Sequence, residues 1–268
     1  MAAEDRSRGL AHTARFTAAV RARESERADA LFSDPWAATL AGEDGFAALA
    51  RLGERAALWP VVRTRFLDDL LRDTLLPQVV LPAAGLDARA YRLAWPDGTR
   101  LFEIDQPELL AAKEQMLAQA IPRCQRVTLA ADLQQPWAER LIDAGFDAQQ
   151  PAVWLVEGLL MYLDEQATQH IMQTISRLAV PGSWLGLDLP QRSLRGHVVN
   201  DPTQWLTDLG WRAEVASLAD VAARYGRWPH PRPPADNTAP APLPMGRVWL
   251  IAARKEAAAI SPGSGASR

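Results

Sequence analysis

The stretch Gln78-Val79-Val80-Leu81-Pro82-Ala83-Ala84-Gly85-Leu86-Asp87-Ala88-Arg89, followed by Leu101-Phe102-Glu103-Ile104-Asp105, decides the fold. An apolar run ends in a tight turn of small residues, and a second hydrophobic run ends in a carboxylate. Gly85 and Asp105 lie twenty positions apart. In an open α/β sheet, two such strand ends offer backbone to one end of a nucleoside and, about 20 residues later, an acid to its ribose hydroxyls.

What the turn lacks also matters. A dinucleotide site needs several glycines, so that backbone can approach a pyrophosphate held at a helix N-terminus. Here Ala83-Ala84-Gly85 runs into Leu86-Asp87, and an acid there repels phosphate. Asp87 favours a cation or a hydrogen-bond donor. A ligand with a ribose, an ammonium and no phosphate is S-adenosylmethionine. The alternative is a purely structural strand-to-helix turn.

Outward from this pair the chain alternates. Apolar runs at 78–83, 99–104, 125–130, 152–157 and 183–189 are separated by helix-like segments at 88–94, 107–120, 135–144 and 164–179. That rhythm predicts parallel βαβ units in a doubly wound, mostly parallel Rossmann-like α/β sheet, because crossovers are right-handed. Before it, residues 9–28, 36–52 and 56–76 read as three helices, with Asp34-Pro35 as an N-cap and first-position proline.

After it, residues 190–245 break the pattern with Trp205, Trp211, Trp228 and dense prolines around 229–244. An irregular cap or lid is expected there. Residues 247–253 read as a last strand, and the Ser/Gly/Ala-rich tail as disordered. The expected organisation is one domain: a helical segment over 1–77, a cofactor-binding core over 78–190, a cap carrying substrate contacts over 191–245, a strand over 246–254 and a tail over 255–268.

Composition narrows the classes. Of 268 residues, 48% are hydrophobic and 23% charged, as in ordinary soluble domains with a sizeable core. A net charge of -3 argues against nucleic acid as a partner, since neutralising phosphates needs a concentrated basic surface. The arginines of the first 30 residues are interleaved with acids and read as a solvated helix face. The one cysteine, Cys124, forms no internal disulfide, and the four histidines show no ligand spacing, so no metal is expected. The sequence shows no apolar leader and no membrane-span-length apolar run; a cytoplasmic protein is expected.

Six stretches in order carry a family resemblance: Arg23-Glu24-Ser25 leading to Leu31-Phe32-Ser33-Asp34-Pro35-Trp36; Val62-Arg63-Thr64-Arg65-Phe66-Leu67-Asp68-Asp69; Ala84-Gly85-Leu86-Asp87-Ala88-Arg89-Ala90-Tyr91-Arg92-Leu93; Phe102-Glu103-Ile104-Asp105-Gln106-Pro107; Ala131-Asp132-Leu133; and Glu157-Gly158-Leu159-Leu160-Met161-Tyr162-Leu163. In these the chain resembles the S-adenosylmethionine-dependent methyltransferases of the leucine carboxyl methyltransferase-like group, with its bacterial polyketide O-methyltransferases of the tetracenomycin-pathway kind. The likeness covers roughly residues 10–190 and the final strand.

The resemblance implies roles. Arg63 would pair with the methionine carboxylate through its bidentate fork. Ala83 and Gly85 would form the turn against the cofactor, and Asp105 would accept from the ribose hydroxyls. Asp132 and Leu133 would flank the adenine, and Glu157 would lie beside the methionine end and the substrate entrance. Two departures stand out. The family's Leu-Gly-Ala-Gly turn is Pro82-Ala83-Ala84-Gly85 here, and its usual Thr is Ala88. The expectation at Ala83 is that small size, not a positive φ, is what the turn requires.

Local alternatives accompany these roles: Arg63 in an ion pair within its own helix with Asp68 or Asp69, Asp105 and Asp132 as helix caps, Asp87 and Arg89 as a cap and salt bridge. Glu103 shares a strand face with Asp105, either supporting the site or lying in solvent. Tyr162 is a candidate substrate residue, although Tyr162 and Met161 are expected to pack in the core. Trp205, Trp211 and Trp228 suggest a planar aromatic acceptor if their rings reach the pocket. Arg192 and Arg195 are candidates to hold an acceptor carboxylate, with plain surface placement as the alternative.

A sulfonium methyl is already activated, so a carboxylate acceptor needs no base whereas a hydroxyl usually does. No catalytic base is evident in the sequence, and the expected reaction is O-methylation of a small molecule, a carboxylate or aromatic hydroxyl of a polyketide-like metabolite. Competing readings are a cofactor-binding relative without turnover and a nicotinamide-dependent oxidoreductase, the latter opposed by Asp87 and the missing third glycine. A serine hydrolase is excluded by the absence of a Gly-x-Ser-x-Gly elbow.

Overall fold

The structure, a computed structural model, describes residues 2–227 and 247–257. In chain order its elements are α1 (Ala2–Ser25), α2 (Ala37–Leu52), α3 (Glu54–Thr74), β1 (Gln78–Pro82), α4 (Arg89–Arg92), β2 (Arg100–Asp105), α5 (Pro107–Met116), β3 (Gln125–Ala130), α6 (Ala138–Asp143), β4 (Ala152–Val156), a 3-10 turn (Leu160–Tyr162), α7 (Glu165–Leu178), β5 (Trp184–Pro190), α8 (Pro202–Asp208), β6 (Trp211–Ser217), α9 (Leu218–Arg224) and β7 (Val248–Lys255).

The seven strands form one sheet in the order β3-β2-β1-β4-β5-β7-β6. The first five are parallel, and β7 runs antiparallel between β5 and β6. This is the expected mostly parallel, doubly wound α/β fold. The chain order reverses between β1 and β4, the switch point where such sheets leave a crevice at their carboxyl edge.

Alternation along the central strands builds two apolar layers. Val80, Phe102 and Trp154 are in register on one face, where they meet Trp137, Ile171 and Ile175. Val79, Leu101 and Val153 share the other face, beneath Leu40, Leu67 and Leu71. Both faces are therefore covered, as parallel sheets require. Helix α7 shows how the sequence specifies one cover. Asp164 caps it by accepting from the Ala167 amide at 2.9 Å, and Ile171, Ile175 and Leu178 recur on its buried side.

Three expectations need correction. The described part of 190–245 is not irregular, because α8, β6 and α9 lie within it. Asp201 caps α8 with Pro202 at its start, and β6 is an edge strand whose polar alternation hid it. Trp228, His230 and the proline-rich run lie outside the described residues, as does the tail from 258. Asp34 does not stand directly before the helix, since α2 starts at Ala37, but it caps the turn leading in: Oδ1 accepts from the Trp36 amide at 3.1 Å while Oδ2 accepts from Arg21 Nε at 2.8 Å. Nor is the arginine-rich face of α1 wholly solvated, since Arg21 is buried by that contact and by donating to the Leu86 carbonyl at 2.7 Å.

Candidate active site

At the switch point the carboxyl ends of β1, β2 and β4 open into a cavity of about 230 Å³. Its floor is Leu81 to Leu86 with Asp105 and Leu155, and α1 and α3 roof it through Phe16, Arg21, Trp59 and Arg63. Of the expected site residues, Arg63, Ala83, Gly85, Asp105, Glu157 and Tyr162 all face this one space.

The opening sequence pair is joined directly. The Gly85 amide donates to Asp105 Oδ2 at 2.6 Å, and the Gln106 amide donates to Oδ1 at 2.7 Å. Gly85 achieves this at φ 52°, a left-handed conformation that costs glycine little. Burial pushes the Asp105 carboxyl above its ordinary value, with the two amides working against the rise.

Ala83 also sits at φ 57°. The expectation that only its size matters is thus incorrect: the turn imposes a positive φ that an L-residue adopts at a cost of about 1–2 kcal/mol. The Ala84 amide holds the turn to the neighbouring strand by donating to the Ile104 carbonyl at 3.1 Å.

Part of the cavity wall, and the layer behind it, is a buried ionic lattice. Arg63 does not pair within its helix. Its Nε donates to Glu157 at 2.9 Å and its Nη1 to Asp188 at 2.9 Å. Arg89, only 1% exposed, donates to Asp68 and Glu157, each at 2.7 Å, and to Asp87. Arg92 holds Asp68 through two bonds of 2.7 Å.

Burial opposes the charges of Arg63, Asp68, Asp87, Arg89, Arg92 and Glu157, but the partners outweigh it. The Arg89 guanidinium, with Lys113, Arg92 and Arg21, holds Asp87 down to about 2. Arg89 and Arg63 likewise keep Glu157 below the usual carboxylate range. Asp188 and Glu157 hold the Arg63 guanidinium above its ordinary value.

Other expected residues fall elsewhere. Asp132 and Leu133 do not line the cavity: Asp132 Oδ1 accepts from the Gln134 amide at 2.9 Å, and Leu133 is buried in the core. The tight turn after β3 satisfies its own backbone in this way. Arg192 and Arg195 stand on the exposed loop after β5, Arg195 at 3.8 Å from Asp164, and neither reaches the cavity.

Trp211 is buried in the core, donating to Ser176 Oγ at 2.8 Å, and Trp205 packs against the same cluster, so neither ring faces the pocket. Glu103 is fully buried between Lys113 and Arg126, outside the cavity and away from solvent. Met161 and Tyr162, expected in the core, are cavity wall, because the 3-10 turn after β4 folds over the strand ends.

Sequence reasoning gave no site role to Asp188, Trp59, Phe16 or Arg21. For Asp188 a signal existed: an acid between Leu187 and Leu189 inside an apolar strand must be paired.

Among the described residues no cluster of His, Cys, Asp and Glu could hold a metal ion, and no helix is long and apolar enough to cross a membrane.

Known proteins similar to this chain show its family. Residues 14–176 match the family model described as leucine carboxyl methyltransferase. A Frankia alni protein whose name assigns it to the S-adenosyl-L-methionine-dependent methyltransferases is 42% identical over 252 residues, 82% of this chain and 88% of that one. A Streptomyces coelicolor protein so named is 40% identical over 251 residues, 82% of this chain and 89% of its own. Among solved structures, a DUF574 family protein of Streptomyces avermitilis superposes with a TM-score of 0.57 at 13% identity, covering 91% of this chain and 97% of that one, a likeness of fold. The chain therefore belongs to the leucine carboxyl methyltransferase family, and it is an S-adenosylmethionine-dependent methyltransferase.

Proposed function

We propose that the protein is an O-methyltransferase acting on a small molecule, a carboxylate or aromatic hydroxyl of a polyketide-like metabolite, with the carboxylate favoured. The observation that carries this reading is the inventory of ionisable groups around the cavity. They are Arg21, Arg63, Asp87, Arg89, Asp105, Glu157 and Tyr162, with neither histidine nor lysine among the described lining residues. Asp87 and Glu157 are held as weak bases by their arginines. A carboxylate acceptor, already a nucleophile at neutral pH, suits such a wall; a hydroxyl acceptor needs a base, and Asp105, the lining carboxylate that burial pushes up, already accepts from the Gly85 and Gln106 amides and is assigned to the ribose.

The lining suits the cofactor. Asp105 would accept from the ribose hydroxyls, and Arg63 would meet the methionine carboxylate beside Glu157. The turn from Ala83 to Gly85 would lie along the nucleoside. Asp132 and Leu133 would contribute to the adenine end only from the β3 edge, where the Ala131 amide bonds the Asp105 carbonyl at 2.9 Å. When bound, the cofactor supplies an activated methyl group. The chain holds the acceptor in line with it and excludes water. Phe16, Trp59, Met161 and Tyr162 give that space an apolar, aromatic rim suited to an aromatic or polyketide-like acid.

The test is incubation with S-adenosylmethionine and a panel of aromatic acids and phenols, followed by mass spectrometry for the gain of one methyl and by mild alkali. Methyl esters are hydrolysed by alkali and aryl ethers survive. Alkali-labile products from acids support the reading. Alkali-stable products alone move it to hydroxyl methylation. No product across the panel, despite calorimetric binding of S-adenosylhomocysteine, refutes the proposed acceptor class.

A further inference from the structure

Asp188 lies in β5, two residues from the strand end, and is 2% exposed. It is absent from the cavity wall. Its two oxygens nevertheless tie together the two elements that make the wall. Oδ1 accepts from the Gly158 amide at 2.7 Å, and Oδ2 accepts from Arg63 Nη1 at 2.9 Å. Gly158 turns the chain out of β4 at φ 64°, and a Cβ there would stand 3.1 Å from Arg63 Nη1. The turn and the guanidinium are thus packed against each other with no room for a side chain between them. Glu157 completes the grip by accepting from Arg63 Nε at 2.9 Å.

A buried carboxylate is expensive to keep, and one so placed binds only what it orients. With Nε and Nη1 committed to Glu157 and Asp188, Nη2 makes no hydrogen bond among the described residues. The guanidinium is fixed in rotation with only Nη2 left over, so the bidentate fork expected of Arg63 is reduced to one nitrogen. We infer that Asp188 is a positioning residue for the amino-acid end of the cofactor: by fixing Arg63 and the Gly158 turn together, it presents Nη2 of Arg63 to the methionine carboxylate. This rests on the reading of Arg63 as the carboxylate ligand. Asp188 itself touches no ligand and acts through Arg63.

Two thioethers separate this role from a general contribution to folding. S-adenosylhomocysteine carries the amino-acid tail, and 5′-methylthioadenosine shares the nucleoside and sulfur without it. In Asp188→Asn the amide oxygen still accepts from Gly158, but its N–H groups face the N–H groups of Arg63. Calorimetry is expected to show S-adenosylhomocysteine binding weakened roughly tenfold, the scale of one lost charge-assisted bond, with methylthioadenosine changed by less than about twofold. Should Asp188→Asn not fold, Asp188→Glu, which keeps the charge but shifts it by one methylene, is expected to show the same selective loss.

Equal weakening of both ligands, or of neither, overturns the inference. Arg63→Gln is the reference arm, in which the preference for the tailed ligand should collapse. If that preference survives in Arg63→Gln, the assignment of Arg63 fails and the inference with it. If it collapses there but persists in the Asp188 variants, Asp188 alone is wrongly placed.

Discussion

Replacing Arg89 by methionine tests the ionic lattice behind the cavity, because methionine fills much of the same space and removes only the charge and its donors. Arg89 serves three carboxylates, and they do not lose equally. Asp68 keeps two bonds of 2.7 Å from Arg92, and Glu157 keeps Arg63 Nε at 2.9 Å. Asp87 retains only the backbone amide of residue 89, at 2.6 Å, so the uncompensated charge falls on it.

Breaking a buried pair on one side costs about 3–5 kcal/mol, which for a chain of this size lowers Tm by roughly 6–20 °C at neutral pH. In the wild type, burial raises Asp87 but Arg89 outweighs it and holds the carboxyl down to about 2. A depressed folded pKa gives stability that is fully present above the unfolded value of about 4 and lost as pH falls towards the folded value. In Arg89→Met, burial acts on Asp87 with only Lys113, Arg92 and Arg21 to oppose it, its folded pKa rises, and the variant regains relative stability as acid neutralises the group. The gap between the two proteins should be widest near pH 8 and narrow by about pH 5 in scanning calorimetry. A gap that is constant across that range, or below about 1 kcal/mol at its widest, refutes the account.

Two other positions carry sharp expectations. At Ala83, glycine relieves a left-handed conformation costing about 1–2 kcal/mol but restores about 0.5–1 kcal/mol of unfolded-state entropy, so Ala83→Gly should gain about 0.5–1 kcal/mol in urea unfolding. Ala83→Val, β-branched at φ 57°, should lose more than about 2 kcal/mol, and a glycine variant less stable than the wild type contradicts the strain. At Asp105, which burial pushes up, acidification should weaken S-adenosylhomocysteine binding with a midpoint above the ordinary aspartate value of about 4. Asp105→Asn should bind more weakly at neutral pH and lose that pH dependence; an unchanged profile removes Asp105 from the ribose contact.

The parts of the fold legible in sequence are those whose signal is local. β3 occupies 125–130 as read, and the other parallel strands begin or end within a residue of their apolar runs. A buried parallel strand is apolar throughout, and its helices recur at a regular interval. β6 was missed for the converse reason. Its Trp211-Arg212-Ala213-Glu214-Val215-Ala216-Ser217 alternation is weak, because an edge strand with one partner buries little. The charged lattice was illegible because its contacts are remote in sequence: Arg63 meets Asp188 across 125 positions and Arg89 meets Glu157 across 68. The alternative that local reasoning offered for Arg63 was Asp68 or Asp69 on its own helix, whereas the fold offers Asp68 two better-placed arginines from α4.

The same lattice explains why a cavity built on a dinucleotide-type sheet suits a phosphate-free cofactor. Arg21, Arg63, Arg89 and Arg92 are met by Asp34, Asp68, Asp87, Glu157 and Asp188, with Asp105 beyond them at the strand end, so carboxylates outnumber guanidiniums. Among the described residues, no arginine in the wall faces the cavity without a carboxylate already on it. A pyrophosphate entering this space would lose its hydration and find its cations already neutralised. A sulfonium with an ammonium group would find an excess of buried negative charge, and under the proposed placement its single carboxylate would need only the Nη2 that Arg63 has left. The acid after the first turn, read from sequence as repelling phosphate, is thus one member of a set whose summed charge disfavours a pyrophosphate.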